Sequence, residues 1–92
     1  MEIVLSPKAQ ARLDEYAHYL YQQTQSNSFV AKYLGEIEEN FEKILSLFPE
    51  SGTPMPEYGE GIRRLSYQGS AILYRIEQNR IEVLTFYRQN QP

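Results

Sequence analysis

The sequence predicts an α+β domain: an N-terminal strand, a two-helix antiparallel hairpin, then a three-stranded antiparallel meander, with the helices on one face of the sheet. Three observations lead there. Apolar residues recur at three- and four-residue steps from Ala9 to Phe48, the period changes to two after Gly61, and a stretch rich in proline and glycine divides the two regimes. At 92 residues there is room for a single domain, 1–92, with one core.

Glu2 to Leu5 reads as a short strand, because Ile3, Val4 and Leu5 are apolar and β-prone. Ser6-Pro7 is a helix start: serine caps orphan backbone N–H groups, and proline at the first helical position forfeits no hydrogen bond. Ala9, Leu13, Tyr16, Ala17 and Leu20 then form one apolar stripe. The polar run Gln22 to Ser28 ends this helix, and Ser26 or Ser28 caps the next. Val30, Tyr33, Leu34, Ile37, Phe41, Ile44, Leu45 and Phe48 make the stripe of a second helix, which Pro49 stops. Gly35, costing about 1 kcal/mol relative to alanine in a helix, marks an expected close approach of the helices. Pro49 to Glu60 is expected to be a loop. Ile62–Tyr67, Ala71–Ile76 and Ile81–Tyr87 are the meander strands, with Gln68-Gly69 and Gln78-Asn79 as tight turns. The first strand is expected to join an edge of this meander.

Composition narrows the chemistry. There is no cysteine, so disulfides, thiolate nucleophiles and cysteine-based metal sites are excluded. With one histidine, His18, a histidine-rich metal site is not expected, and no cofactor motif is present. No apolar run reaches the roughly 18 residues of a membrane span, and no secretory signal precedes the first strand, so the expected location is the cytoplasm. Net charge is -3, but it is unevenly spread. Residues 1–60 hold four basic side chains against ten acidic ones, whereas 61–92 hold five arginines against Glu77 and Glu82. The arginine-rich third implies an acidic partner, or pairing with the acidic part of the chain.

In this order, certain residues resemble a known family. They are Leu5-Ser6-Pro7-Lys8-Ala9 entering a helix, Leu47-Phe48-Pro49 closing the hairpin with Gly52 beyond it, and Ile62-Arg63-Arg64-Leu65. Ile72-Leu73-Tyr74-Arg75-Ile76 and Ile81-Glu82-Val83-Leu84 follow, then Tyr87-Arg88-Gln89. Together they resemble the RelE/ParE superfamily of type II toxin–antitoxin modules, nearest its ParE-like branch, over essentially the whole chain. The resemblance implies a toxin, associated with plasmid stabilization, that inhibits a target such as DNA gyrase and is neutralised by a cognate antitoxin. RelE-like members imply a different activity, cleavage of mRNA on the ribosome.

For either activity the resemblance points to Arg63 or Arg64, Arg75 and Arg88 as the residues that bind target or antitoxin. In a ribonuclease the same arginines would hold phosphate bidentately, with Tyr87 as the candidate base. Strand alternation lets only one of Arg63 and Arg64 face such a site: Arg63 lies with Leu65 and Tyr67, Arg64 with Ile62 and Ser66. The lysines of RelE-like ribonucleases have no counterpart in Glu57-Tyr58-Gly59-Glu60, and the sequence runs only to Pro92. An unperturbed tyrosine, titrating near 10, is a poor base at neutral pH. The expectation is therefore a non-enzymatic inhibitor, ahead of an endoribonuclease or a non-toxic interaction protein of the same fold. The antitoxin is expected to be acidic over the arginines, or apolar where it meets the hairpin. A free sheet edge or the exposed hairpin would allow a homodimer. The ordinary readings stand beside these: arginines on a sheet face are commonly solvated or ion-paired, and Tyr16, Tyr33 and Tyr74 fall on apolar stripes.

Overall fold

Two serines start the two helices. In a computed structural model that describes residues 1–88, the Ser6 hydroxyl accepts from the Ala9 N–H at 3.0 Å and opens α1 (Pro7–Thr24). The Ser26 hydroxyl accepts from the Phe29 N–H at 3.1 Å and opens α2 (Asn27–Leu47), which decides between the two serines the sequence offered. Between the helices Gln25 takes a left-handed conformation, φ 54°, and its N–H closes the last turn of α1 on Tyr21. At the other end of α2, Phe48 leaves the helical region at φ -138° because the Pro49 ring crowds the residue before it.

The sheet has five strands: β1 (Glu2–Leu5), β2 (Thr53–Pro54), β3 (Ile62–Tyr67), β4 (Ser70–Glu77) and β5 (Arg80–Arg88). Their order is β1-β5-β4-β3-β2. Strands β3 to β5 are the expected meander, turning at Gln68-Gly69 and Gln78-Asn79, where Gln68, Gly69 and Gln78 have positive φ. The first strand does join an edge, lying parallel to β5 with Ile3 opposite Ile81. The Pro49–Glu60 segment is not wholly loop. Thr53 and Pro54 pair with Arg64 and Arg63 as a short edge strand, where proline's missing N–H is tolerated, and Pro56–Tyr58 makes one 3-10 turn.

Both helices cover one face of the sheet, α1 chiefly over β5 and α2 reaching β3. Ala9, Leu13, Val30, Leu34, Ile37, Phe41 and Leu45 meet Ile72, Tyr74, Ile81, Val83 and Phe86 in one core. Two expectations fail. A Cβ on Gly35 would have nothing within 4 Å, so this glycine marks no close approach of the helices. Phe48 ends the predicted stripe but lies outside the helix and is 65% exposed, because the chain has already turned toward Pro49.

An irregularity in β5 governs the site. Leu73 pairs with Thr85 but Tyr74 pairs with Val83, so Leu84 is an extra residue, a β-bulge. Its carbonyl has left the ladder and is met by the Ser6 hydroxyl at 2.8 Å, while the Ser6 N–H donates to the Val83 carbonyl at 2.9 Å. The α1 cap is thereby tied to the bulge.

Candidate functional site

Pairing register assigns each predicted site residue to a face of the sheet. On β3, Arg63 lies opposite Tyr74 and shares the helix-covered face with Leu65 and Tyr67; Arg64 lies opposite Leu73 on the outer face. On β4, Arg75 follows Leu73 by two residues and is also outward. It is a diagonal neighbour of Arg64, since Ile62 pairs with Arg75 and Arg64 with Leu73. The bulge then reverses the alternation of β5. Ile81, Val83, Phe86 and Arg88 all meet the helix-covered face, and Thr85 and Tyr87, opposite Leu73 and Ala71, meet the outer one. Arg64, Arg75 and Tyr87 therefore share a surface, while Arg63 and Arg88 lie on the other side. Gln89 lies outside the described residues.

On the covered face Arg63 is a latch. Its Nη1 donates to the carbonyls of Glu50 at 3.0 Å and Gly52 at 2.8 Å, holding the segment that leaves α2. Tyr74, fully buried beside it, donates its hydroxyl to the Pro49 carbonyl at 2.7 Å and accepts from the Gly52 N–H at 2.9 Å. Burial raises the Tyr74 pKa, against the opposing pull of the Gly52 N–H and the Arg63 cation. These bonds satisfy backbone groups that the proline- and glycine-rich segment cannot pair by itself. Gly52 is required there because a Cβ would fall 2.6 Å from the Tyr74 hydroxyl and 2.9 Å from the Arg64 carbonyl oxygen.

Arg88 lies over two rings of α1, its guanidinium carbon 4.2 Å from the Tyr19 centroid and 5.0 Å from that of Tyr16. Tyr16 also packs on Phe86 and meets Tyr33 edge-on, with Tyr33 stacked on Phe29. Burial and a hydrogen bond with Tyr33 push the Tyr16 hydroxyl up to about 12, so it stays protonated across the physiological range. The apolar spacing of α1 placed Tyr16 correctly as a packing residue. Its role as a seat for Arg88 was not readable, because it depends on the bulge.

On the outer face Arg75 is already paired. Its Nε donates to Glu77 Oε1 at 2.7 Å, and Nη2 lies 2.6 Å from Glu77 Oε1 and 3.3 Å from Glu82 Oε1. Phosphate would have to displace both carboxylates to reach that fork. The Arg64 side chain is half-buried and, among the described residues, makes no hydrogen bond or ion pair. The His18 side chain is exposed on α1. Among the described residues no group of three or more His, Cys, Asp or Glu is placed to hold a metal ion. No helix there is long and apolar enough to cross a membrane.

The comparisons with known proteins agree with this architecture. The chain is similar to one in a solved structure described as the chromosomal ParDE TA system from P. aeruginosa, at 23% identity and a TM-score of 0.74. That match covers 96% of this chain and 95% of the other. At such identity the likeness speaks to the fold. No curated protein sequence matches. Residues 3–92 match the family model of the ParE toxin of the type II toxin–antitoxin system, parDE. With the match spanning nearly the whole sequence, the chain belongs to the ParE toxin family of type II toxin–antitoxin systems.

Proposed function

We propose that this protein acts in the cytoplasm by binding and inhibiting DNA gyrase, and that a cognate antitoxin neutralises it. The observation that carries the reading is family membership over residues 3–92. The division of the arginines supports inhibition by binding rather than by cleavage. Phosphoryl chemistry needs cations converging on one phosphate and a base within reach. Here Arg63 holds backbone, Arg88 lies on tyrosines and Arg75 is neutralised by two carboxylates. The test is induction in bacteria beside a supercoiling assay with purified gyrase. The expected outcome is arrested growth, a DNA-damage response and lost supercoiling, all reversed by co-expressing the antitoxin. Normal supercoiling under a growth-arresting dose would overturn the gyrase target.

One observation favours a second reading, ribosome-dependent mRNA cleavage. Arg64, Arg75 and Tyr87 do share the outer face. Toe-printing of ribosome-bound message discriminates between the two: cleavage that Arg64→Ala abolishes supports the ribonuclease, and intact message at a toxic dose excludes it.

A further inference from the structure

Arg88 is held in place without being neutralised. It ends β5 on the covered face, half-buried, with its guanidinium carbon 4.2 Å from the Tyr19 centroid and 5.0 Å from that of Tyr16. Among the described residues its side chain makes no ion pair and no hydrogen bond. The ring faces attract the cation but give its N–H groups no oxygen to bond, so the fork is left for an acceptor from outside. Tyr19 is 41% exposed, which brings this seat to the surface. The Tyr16 hydroxyl is engaged with Tyr33, whereas the Tyr19 hydroxyl makes no hydrogen bond among the described residues.

Beside the guanidinium lies a cleft of about 110 Å³ with Arg12, Glu15, Tyr16, Tyr19, Phe86 and Arg88 in its walls. That is well below the ~300–1,000 Å³ of pockets that take a drug-sized ligand, and it suits the end of one side chain. The charges in the walls decide its chemistry. Glu15 lies 3.6 Å from Arg12 in a solvated pair, so it answers Arg12 and leaves Arg88 uncompensated. One free guanidinium matches one carboxylate. It does not match a nucleic acid, whose backbone is bound by several cations in a track. Asp14 and Glu15, adjacent on α1, would also repel a second phosphate. The seat has the composition of an energetic centre in a protein interface, where tyrosine and arginine are enriched. Because the rings hold the guanidinium before any partner arrives, less side-chain freedom is lost on binding.

We propose that the cleft between α1 and the end of β5 takes an aspartate or glutamate side chain of the protein that this chain inhibits. The carboxylate bonds to the Arg88 guanidinium, and its stem lies against the Tyr19 ring. This rests on the reading of the protein as an inhibitor that acts by binding, and it supplies one contact of that inhibition.

The test uses the full chain, induced in bacteria and, once purified, added to gyrase in the supercoiling assay. Arg88→Gln stays polar but loses the charge; it is expected to raise the inhibiting dose about tenfold and to relieve growth arrest. Arg88→Lys keeps the charge without the fork and is expected to fall between. Tyr19→Leu removes the ring under the guanidinium and is expected to cost several-fold, whereas Tyr19→Phe is expected to cost less than about twofold. Inhibition by the unsubstituted chain is expected to weaken with salt more steeply than inhibition by Arg88→Gln. Unchanged circular dichroism and unchanged capture of the co-expressed antitoxin are expected for each variant, separating target contact from damage to the fold. Equal inhibition by Arg88→Gln would overturn the proposal. So would a loss confined to antitoxin capture, or binding of a single-stranded DNA oligonucleotide that Arg88→Gln abolishes. If the unsubstituted chain arrests growth with supercoiling intact, the gyrase target falls, and the growth readout of the same variants decides the carboxylate site. If Arg88→Gln does not fold, Tyr19→Leu against Tyr19→Phe supplies the comparison, and equal inhibition by those two would count against the seat.

Discussion

On the covered face of the sheet Arg63 donates to two backbone carbonyls, whereas on the outer face Arg75 lies between two carboxylates in partial contact with solvent. The carbonyls of Glu50 and Gly52 belong to a segment with no helix ladder of its own, so the first guanidinium is part of the scaffold. The pairs of Arg75 are solvated at one side, with the arginine side chain 40% exposed, and such pairs contribute only about 0–1 kcal/mol. A partner bringing its own carboxylates can exchange with Glu77 or Glu82; nothing outside can replace the loop carbonyls. Position in the sheet, more than residue type, separates the arginines that build the domain from those that can meet a partner.

The comparison breaks first at the latch. Gly52→Ala drives a methyl group into the Tyr74 hydroxyl and the Arg64 carbonyl, neither of which can retreat. The expected loss is about 3 kcal/mol of unfolding free energy, read from urea denaturation. Tyr74→Phe keeps the ring but leaves the Pro49 carbonyl and Gly52 N–H without their partner, with an expected loss of about 2 kcal/mol in the same measurement. Those two variants separate overpacking from lost hydrogen bonding at one place.

Alkaline pH tests the covered face in a third way. The Tyr16 hydroxyl is raised to about 12 in the folded chain, above the ordinary value near 10. Between those values the folded state keeps a proton that the unfolded chain has released. The stability tied to Tyr16 is therefore complete below pH ~10 and lost as pH rises toward ~12. The melting temperature should fall over that window, and Tyr16→Phe should make the fall shallower. The smallest effect belongs to the outer face. Arg75→Ala is expected to change stability by less than about 1 kcal/mol. A loss as large as that of Tyr74→Phe would remove the distinction between the faces.

Much of the fold was legible because it rests on short-range rules. Ser6-Pro7, Pro49 and the Gln68-Gly69 turn act through backbone geometry within a few residues, and the helical stripes repeat often enough to show their period. Ser26 rather than Ser28, the pairing of Thr53-Pro54 and the exposure of Phe48 were not legible, since each depends on where the chain goes next. The site was legible only in part. Alternation correctly put Arg63 and Arg64 on opposite faces, but no sequence pattern distinguished which of the two would hold the loop.

By itself the sequence determined the layers: periods of 3.6 and 2, with caps and breakers between them, require helices over a sheet whatever the long-range contacts. Only the tertiary structure decided the faces of β5. Simple alternation would set Ile81 and Val83 against Phe86 and Arg88, yet the bulge at Leu84 brings all four to the helices. One extra residue is tolerated because Ser6, 78 positions away in the chain, donates to the carbonyl it frees. That bond spans nearly the whole sequence, so no local reading of β5 contains it, and with it goes the placement of Arg88 on the tyrosines of α1.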